Sequence, residues 1–201
     1  MLTIIPAAGY GTRLLPGTKS IPKEMFPVVD SPAIEYIARE IKECGLKDLL
    51  IITAHNKDSL VDFFDRNFEL EFILKEKGKT GMLKKLNEFN DMNIVTVRQK
   101  EQLGLGHAIH MGAGLVADKP FIVSLPDMLL MNGGHHISNM LTLYHKYNKG
   151  IIALMRVPPN ETNKYGIIDG IEKDGIIFIH DMVEKPTVDK APTNLAILGR
   201  Y

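Results

Sequence analysis

Short runs of apolar residues alternate along most of the chain with stretches whose apolar residues recur at helical spacing. The apolar runs predict strands over residues 2–5, 49–53, 94–97, 121–125 and 151–155. The helical spacing predicts helices over residues 33–44, 57–68, 107–116 and 137–147. Because this alternation is typical of βαβ units, the pattern predicts an α/β fold with a mostly parallel central sheet and helices on both faces.

The pattern of apolar residues changes after about residue 160, where short apolar runs are separated by Gly, Asp and Pro turns. These runs, at 165–169, 176–179 and 195–198, predict a small antiparallel β addition. We therefore expect a single domain over 1–201, in which 1–160 binds a nucleotide and 161–201 binds the second substrate. The charged segment 69–90 has weak helical periodicity and predicts a surface excursion.

Composition narrows the class of protein. The 201 residues suit one large α/β domain. Lys plus Arg equals Asp plus Glu, at 24 each, so the chain has no global charge to attract nucleic acid or an anionic membrane. The single cysteine suits a reducing compartment, and no apolar run approaches the ~20 residues that span a bilayer. We expect a cytoplasmic protein.

The loop after the first predicted strand carries the strongest chemical signal. Gly9 and Gly11 remove side chains where a backbone turns sharply and presents its N–H groups to an anion. Arg13 and Lys23 add positive charge to the same loop, so the segment predicts a nucleoside triphosphate site. Leu14 stands where a dinucleotide fingerprint has its third glycine, and this loop contains no G-K-[ST] triplet of a Walker loop. The alternative is a glycine-containing turn of any doubly wound protein.

Two further candidates follow the strand predicted over 94–97. The amide of Gln99 both donates and accepts hydrogen bonds, which suits the imide edge of uracil or thymine. Gly104 would let a base approach the backbone closely. A polar strand end and a glycine at a helix entrance explain the same residues without a ligand. His107 and His110 lie three residues apart, but with no third ligand nearby we expect packing or solvation rather than a metal pair.

Asp127 follows the strand predicted over 121–125. Ligands of open α/β sheets bind beyond the carboxyl ends of the strands, so a carboxylate there faces a bound triphosphate. Mg²⁺ commonly takes one or two carboxylates and fills its other positions with phosphate and water. Taken alone, Asp127 would be a helix cap or a turn residue. Its order after the glycine loop and the glutamine favours a Mg²⁺ ligand.

The last candidates lie in the predicted antiparallel part. Gly166 would leave main chain within reach of a sugar hydroxyl, the Glu184 carboxylate suits two sugar hydroxyls, and the Lys185 ammonium suits a phosphate. Because adjacent residues of a strand face opposite sides, Glu184 and Lys185 need a bend near Pro186 to serve one site. The alternative is an ordinary ion pair on a solvated edge.

Taken together, these motifs resemble the sugar-nucleotide pyrophosphorylases, and among them the bacterial enzymes that use UTP and glucose 1-phosphate. The resemblance spans nearly the whole chain and rests on motifs in family order: A-A-G-Y-G-T-R-L-L-P, I-P-K-E-M, V-R-Q-K, G-L-G-H-A, L-P-D, K-Y-G-I-I and D-M-V-E-K-P. It implies a Rossmann-like nucleotidyltransferase fold, a homo-oligomer, and Mg²⁺-dependent attack of glucose 1-phosphate on the α-phosphorus of UTP. No covalent enzyme intermediate is implied.

The resemblance also implies a role for each candidate residue. The expected catalytic residues are Arg13 on the β- and γ-phosphates, Lys23 near the α-phosphate, Asp127 on Mg²⁺ and Lys185 on the sugar phosphate. The expected substrate-binding residues of the nucleotide part are Ala8, Gly9, Gly11, Thr12, Gln99 and Gly104, of which Gln99, Gly104 and the Ala8–Gly9 backbone recognise uracil. Glu184 and Gly166 are expected to hold the glucose.

One departure from the family pattern leaves alternatives open. The family continues beyond G-R-Y, whereas this sequence stops at Tyr201, directly after the apolar run 195–198. We expect that run to form a strand with no partner beyond it, and therefore expect the natural polypeptide to be longer. The alternatives to a UDP-glucose-forming enzyme are a shortened, non-catalytic homologue that binds sugar nucleotides, and a pyrophosphorylase for another pair of substrates, such as one using dTTP.

Overall fold

The computed structural model describes residues 1–131 and 133–201. Its strands are β1 (Leu2–Pro6), β2 (Pro27–Val28), β3 (Ser31–Pro32), β4 (Asp48–Thr53), β5 (Asn93–Arg98), β6 (Phe121–Val123), β7 (Leu154–Arg156), β8 (Gly166–Lys173), β9 (Ile176–Glu184) and β10 (Leu195–Ile197). Its α-helices are α1 (Ala33–Glu43), α2 (Asp58–Asp62), α3 (Phe68–Glu76), α4 (Thr80–Leu86), α5 (Leu105–His110), α6 (Ala113–Val116) and α7 (Gly133–Tyr147). By backbone contacts the chain divides into two compact units, Met1–Ser138 and Asn139–Tyr201.

The first unit is built on a parallel sheet with the strand order β5-β4-β1-β6. The two central strands are almost entirely apolar and buried, as expected for strands covered on both faces. Leu2 pairs with both Asp48 and Phe121, so these three strands begin at the same level. The α/β class and the parallel sheet predicted from the sequence are confirmed.

Helices cover this sheet because their apolar residues fall on one side. Ile4 of β1 and Leu50 and Ile52 of β4 share a buried cluster with Ala108 of α5 and Val116 of α6. In α1 the buried apolar residues recur at positions 33, 34, 37, 38 and 41, which is the spacing of one helical face. The sequence also predicted a surface excursion over 69–90, and α3 and α4 are indeed mostly exposed there.

The second unit contains an antiparallel sheet with the strand order β7-β10-β8-β9. β8 and β9 form a long hairpin with a register shift at Asp169/Gly170. The predicted antiparallel addition is confirmed, and by backbone contacts the unit that contains it begins at Asn139. The single domain over 1–201 stays a prediction. The functional division at 160/161 stays a prediction.

Three predicted elements are wrong in extent or in sheet. The apolar run 151–155 yields only β7, and it joins the antiparallel sheet by pairing with β10; an apolar run does not reveal which sheet will take it. The helix predicted over 57–68 ends at Asp62, and a new helix starts after Asn67, whose side chain caps it by accepting from the Leu70 N–H. The helix predicted over 107–116 is interrupted between α5 and α6 at Gly112.

The expectation of an unpaired strand at 195–198 is also wrong. β10 lies between β7 and β8 and is hydrogen-bonded to both, and Ala196 at its centre is fully buried. The sequence could not show this, because the partners of a strand are set by the sheet order rather than by the order of the strands along the chain. Among the residues described, no helix is long and apolar enough to cross a membrane.

Candidate active site

The predicted nucleotide-binding residues of the first unit follow the carboxyl ends of the parallel strands. The glycine loop follows β1, Gln99 follows β5, and Asp127 comes four residues after β6. Because all of these strands run in the same direction, their carboxyl ends share one edge of the sheet. This edge is where open α/β sheets bind their ligands, so the fold brings the predicted residues of this unit to one place.

The loop after β1 is irregular and contains three short 3-10 turns, over Thr12–Leu14, Gly17–Lys19 and Lys23–Met25. Gly11 adopts a left-handed conformation, with φ of 68°. A Cβ on Gly11 would also lie 2.9 Å from the Thr18 Cγ2 atom, and the Thr18 hydroxyl donates to the Gly11 carbonyl at 2.9 Å. The left-handed backbone and the close approach of the Thr18 side chain explain why this position requires glycine.

Ala8 at the start of this loop is buried, whereas three other predicted residues, Gly9, Thr12 and Arg13, face solvent. Gly9 is exposed, and a Cβ there would meet no atom within 4 Å. Thr12 and Arg13 lie exposed on the first 3-10 turn. Arg13 forms no hydrogen bond or ion pair within the part of the chain that the structure describes. The loop therefore presents small residues and a free guanidinium, as an anion site requires.

Lys23 and Asp127 form an ion pair although 104 residues separate them in sequence. The Lys23 Nζ atom donates to the Asp127 carboxylate at 2.7 Å. The Lys23 side chain is 20% exposed and that of Asp127 is 58% exposed, so the carboxylate is open to solvent and to ligands. The structure thus joins the cation predicted for the α-phosphate to the carboxylate predicted for the metal.

Sequence reasoning missed a buried ion pair beneath this loop. The Lys57 Nζ atom donates to the Glu24 carboxylate at 2.9 Å and to the Ala7 carbonyl oxygen at 2.5 Å. Both charged residues are buried, at 7% and 1% exposed. Burial lowers the pKa of Lys57 below its ordinary value, and the Glu24 carboxylate acts against that shift. The pair fixes the start and the end of the glycine loop to one ammonium group.

The residues after β5 form a second network that the sequence did not predict. Gln99 is 5% exposed, and its Nε2 atom lies 2.7 Å from the His107 Nδ1 atom and 3.4 Å from the Gly104 carbonyl oxygen. The Gln102 side chain donates to the Ala8 carbonyl oxygen at 2.7 Å. The segment is therefore tied to the glycine loop. His107, expected to pack or be solvated, contacts the predicted base-recognising residue.

The predicted sugar-binding residues lie together in the second unit. Lys185 directly follows β9 and has a left-handed backbone, with φ of 45°, and its N–H donates to the Tyr165 carbonyl oxygen at 3.0 Å. The bend that the sequence required is therefore present at Lys185 itself. It lets the Lys185 Nζ atom approach the Glu184 carboxylate to 3.0 Å. A Cβ on Gly166 would lie 3.2 Å from the Glu184 Oε2 atom, so these two residues are also adjacent.

The signals for the missed residues were weak. Glu24 stands within the I-P-K-E motif, but the motif does not say which of its two charges is buried. Lys57 and Gln102 are single polar residues in loops, and no sequence spacing connects them to Ala7 and Ala8.

A cavity of about 350 Å³ lies elsewhere in the first unit, lined by Phe64 and Ile94 among others, and it includes none of the predicted site residues.

Comparison with known proteins identifies the family. The profile of the family described as nucleotidyl transferase matches residues 2–201. A curated relative, the UTP–glucose-1-phosphate uridylyltransferase YngB of Bacillus subtilis, is 46% identical over 200 residues, which cover 98% of this chain and 67% of that protein.

Solved structures agree with the sequence match. The UTP-bound UGPase of Acinetobacter baumannii superposes with a TM-score of 0.91 at 40% identity. The superposition covers 100% of this chain and 73% of the Acinetobacter chain. A UDP-glucose pyrophosphorylase complexed with UDP-glucose gives a TM-score of 0.88 at 42% identity, with 99% of this chain and 74% of that chain covered. The chain therefore belongs to the nucleotidyl transferase family, and it is a nucleotidyltransferase.

Proposed function

We propose that this protein transfers a uridylyl group from UTP to α-D-glucose 1-phosphate and releases pyrophosphate. The observation that carries the proposal is the 46% identity, over 98% of the chain, with a protein named for this reaction. Related structures named for bound UTP and bound UDP-glucose contain the corresponding substrate and product.

The reaction is a single in-line displacement. An oxygen of the glucose 1-phosphate attacks the α-phosphorus of UTP, and a new P–O bond forms as the bond from the α-phosphorus to the oxygen shared with the β-phosphate breaks. Pyrophosphate leaves with the electron pair of that bond. Such transfers are catalysed chiefly by positioning the reactants and neutralising charge. The site needs cations and fixed N–H donors rather than a nucleophile, and the first unit offers these.

Neutralisation of the negative charge of the triphosphate is assigned to cations of the loop after β1. Arg13 is exposed and has no ion-pair partner in the described residues, so its guanidinium is available to the β- and γ-phosphates. Lys23 lies at the end of the same loop and is assigned to the α-phosphate and the leaving pyrophosphate. Gly9, Gly11 and Thr12 are assigned to the phosphate-binding backbone. The support is their position on an exposed turn at the ligand edge of the sheet.

Members of the family typically use a divalent metal ion, and we assign Mg²⁺ to Asp127. The donor set fits this ion, because Mg²⁺ binds through one or two carboxylates and takes its remaining ligands from phosphate and water. Asp127 offers one open carboxylate, and the described residues contain no cluster of three His, Cys, Asp or Glu that would form an all-protein cage. When bound there, Mg²⁺ supplies positive charge that offsets the charge of the phosphate oxygens.

Uracil recognition is assigned to Gln99, Gly104 and the backbone at Ala8 and Gly9. The Gly104 position is open, since a Cβ built there meets no atom within 4 Å. In the second unit, Lys185 is assigned to the sugar phosphate, and Glu184 with the backbone at Gly166 is assigned to the glucose hydroxyls. Their adjacency within that unit supports the assignment. The homo-oligomer and the cytoplasmic location stay predictions.

The test is a pyrophosphate-release assay with Mg²⁺, in which UTP, dTTP, CTP and GTP are each combined with several sugar 1-phosphates. We expect release to be fastest with UTP and glucose 1-phosphate, and to require the sugar phosphate. Faster release with dTTP would favour a different substrate pair. Binding of UDP-glucose without any turnover would favour the non-catalytic alternative.

A further inference from the structure

The network around Gln99 contains a residue to which the proposed function assigns no role. His107 lies on α5, where its Nδ1 atom is 2.7 Å from the Gln99 Nε2 atom. Gln99 is itself fixed in the sheet, because its backbone N–H donates to the Thr53 carbonyl oxygen at 2.8 Å. Its side chain is therefore held at both the backbone and the amide.

The orientation of the Gln99 amide follows from its two partners. The Gly104 carbonyl oxygen, 3.4 Å from the amide, accepts hydrogen bonds and cannot donate them, so the NH₂ group faces it. The His107 ring nitrogen contacts the same NH₂ group at a shorter distance and must also accept. A neutral histidine has one accepting nitrogen, so Nδ1 is unprotonated and the proton is on Nε2.

This arrangement leaves the Gln99 Oε1 atom available. Among residues 1–131 and 133–201, no donor is hydrogen-bonded to it. An amide oxygen accepts from the N3–H group of uracil or thymine, whereas N3 of cytosine is itself an acceptor and repels it. The orientation of one amide thus distinguishes imide bases from cytosine.

We propose that His107 is a positioning residue that sets the nucleotide specificity, by holding the Gln99 amide with its oxygen toward the base. The proposal rests on the assignment of Gln99 to the uracil site. His107 contacts neither substrate and acts only through Gln99. Without its accepting nitrogen, only the longer 3.4 Å contact with the Gly104 carbonyl oxygen still orients the amide. The flipped amide, which presents NH₂ to the base and suits cytosine better than uracil, is then more populated.

The test compares two variants of His107 with a matched control. His107→Phe keeps a ring of similar size but removes the acceptor, and His107→Asn restores an accepting oxygen near the position of Nδ1. His110→Phe is the control, because His110 is an exposed histidine one turn further along the same helix. Each protein is assayed for pyrophosphate release with UTP, dTTP and CTP at saturating glucose 1-phosphate.

We expect His107→Phe to lower kcat/KM about tenfold for UTP and dTTP alike and to leave the value for CTP unchanged or raised, since about tenfold corresponds to one hydrogen bond. The UTP-to-CTP ratio should recover to within about threefold of the wild-type value in His107→Asn, and should not change in His110→Phe. A parallel fall for all three nucleotides, which a purely structural role would produce, overturns the proposal.

Two further measurements keep this test separate from that of the proposed function. If the wild-type protein releases no pyrophosphate, the proposed function is wrong. The role of His107 is then decided by calorimetry on the same variants, which gives the ratio of the UTP and CTP dissociation constants. If His107→Phe does not fold, the ¹⁵N chemical shifts of His107 in the wild-type protein report the tautomer. A proton on Nε2 supports the proposal, and a proton on Nδ1 overturns it.

Discussion

The buried pair of Lys57 and Glu24 makes a sharp prediction about stability. In Lys57→Met the apolar part of the side chain remains, but the ammonium group that contacts Glu24 and the Ala7 carbonyl oxygen is lost. The Glu24 Oε1 atom has no hydrogen-bond partner in the described structure even in the wild type. The variant therefore leaves a buried carboxylate with neither oxygen bound to a donor.

The magnitude follows from the burial of both partners. Removing one member of a buried ion pair costs about 3–5 kcal/mol of the free energy of unfolding, because the remaining charge is uncompensated. For a chain of this size, each kcal/mol lost from the free energy of unfolding lowers Tm by about 2–4 °C. We therefore expect Lys57→Met to lower Tm by about 6–20 °C. Urea and thermal unfolding followed by circular dichroism measure both quantities.

A double-mutant cycle shows whether the loss comes from the pair. Replacing both members by Met removes the charges together, so Lys57→Met/Glu24→Met should cost only about 1–3 kcal/mol, chiefly for the unpaired Ala7 carbonyl. The control is Arg98→Met, which breaks the Arg98–Asp58 pair; this pair is 2.8 Å long, against 2.9 Å for Lys57–Glu24, but it is exposed at both ends. We expect a loss below about 1 kcal/mol. The reasoning is refuted if Lys57→Met behaves like this control, or if the double variant loses as much as the two single variants added together.

Three further predictions concern the site and a surface pair. Asp127→Asn should abolish Mg²⁺-dependent pyrophosphate release while leaving Tm near the wild-type value, since the amide is nearly isosteric but carries no charge; near-normal turnover at saturating Mg²⁺ would make Asp127 a turn residue. Lys185→Ala should raise KM for glucose 1-phosphate much more than KM for UTP, and a selective UTP defect would show that this lysine is wrongly assigned. Hydrogen bonding from Arg39 holds the pKa of Glu88 below its ordinary value of 4.5, so this carboxylate stabilises the fold above about pH 4.5 and loses that contribution as the pH falls. Glu88→Gln should therefore lose less stability than the wild type between about pH 6 and pH 3, and equal losses would contradict this.

The central strands and their parallel sheet were predictable because continuous apolar runs alternate with helical periodicity along the chain. β1 and β4 are continuous apolar runs, and the rule that ligands bind beyond the carboxyl ends of parallel strands then points to the loop after β1, to Gln99 and to Asp127. The sheet that takes the run 151–155 was not predictable, because its pairing with β10 joins segments some forty residues apart. His107 lies close to Gln99 in sequence, but only the structure shows that its ring faces the amide.

The I-P-K-E motif shows how one turn joins the stability of the fold to its chemistry. Lys23 and Glu24 are consecutive on the 3-10 turn Lys23–Met25, and the turn directs their side chains to different surroundings. Glu24 enters the interior to meet Lys57, while Lys23 remains partly exposed and meets Asp127. Because a residue's backbone fixes where its neighbour can lie, the buried pair limits the positions available to the Lys23 ammonium group. A variant that frees Glu24 should therefore displace a cation assigned to the α-phosphate, and a loss of turnover in Lys57→Met at a temperature where it remains folded would reveal that link.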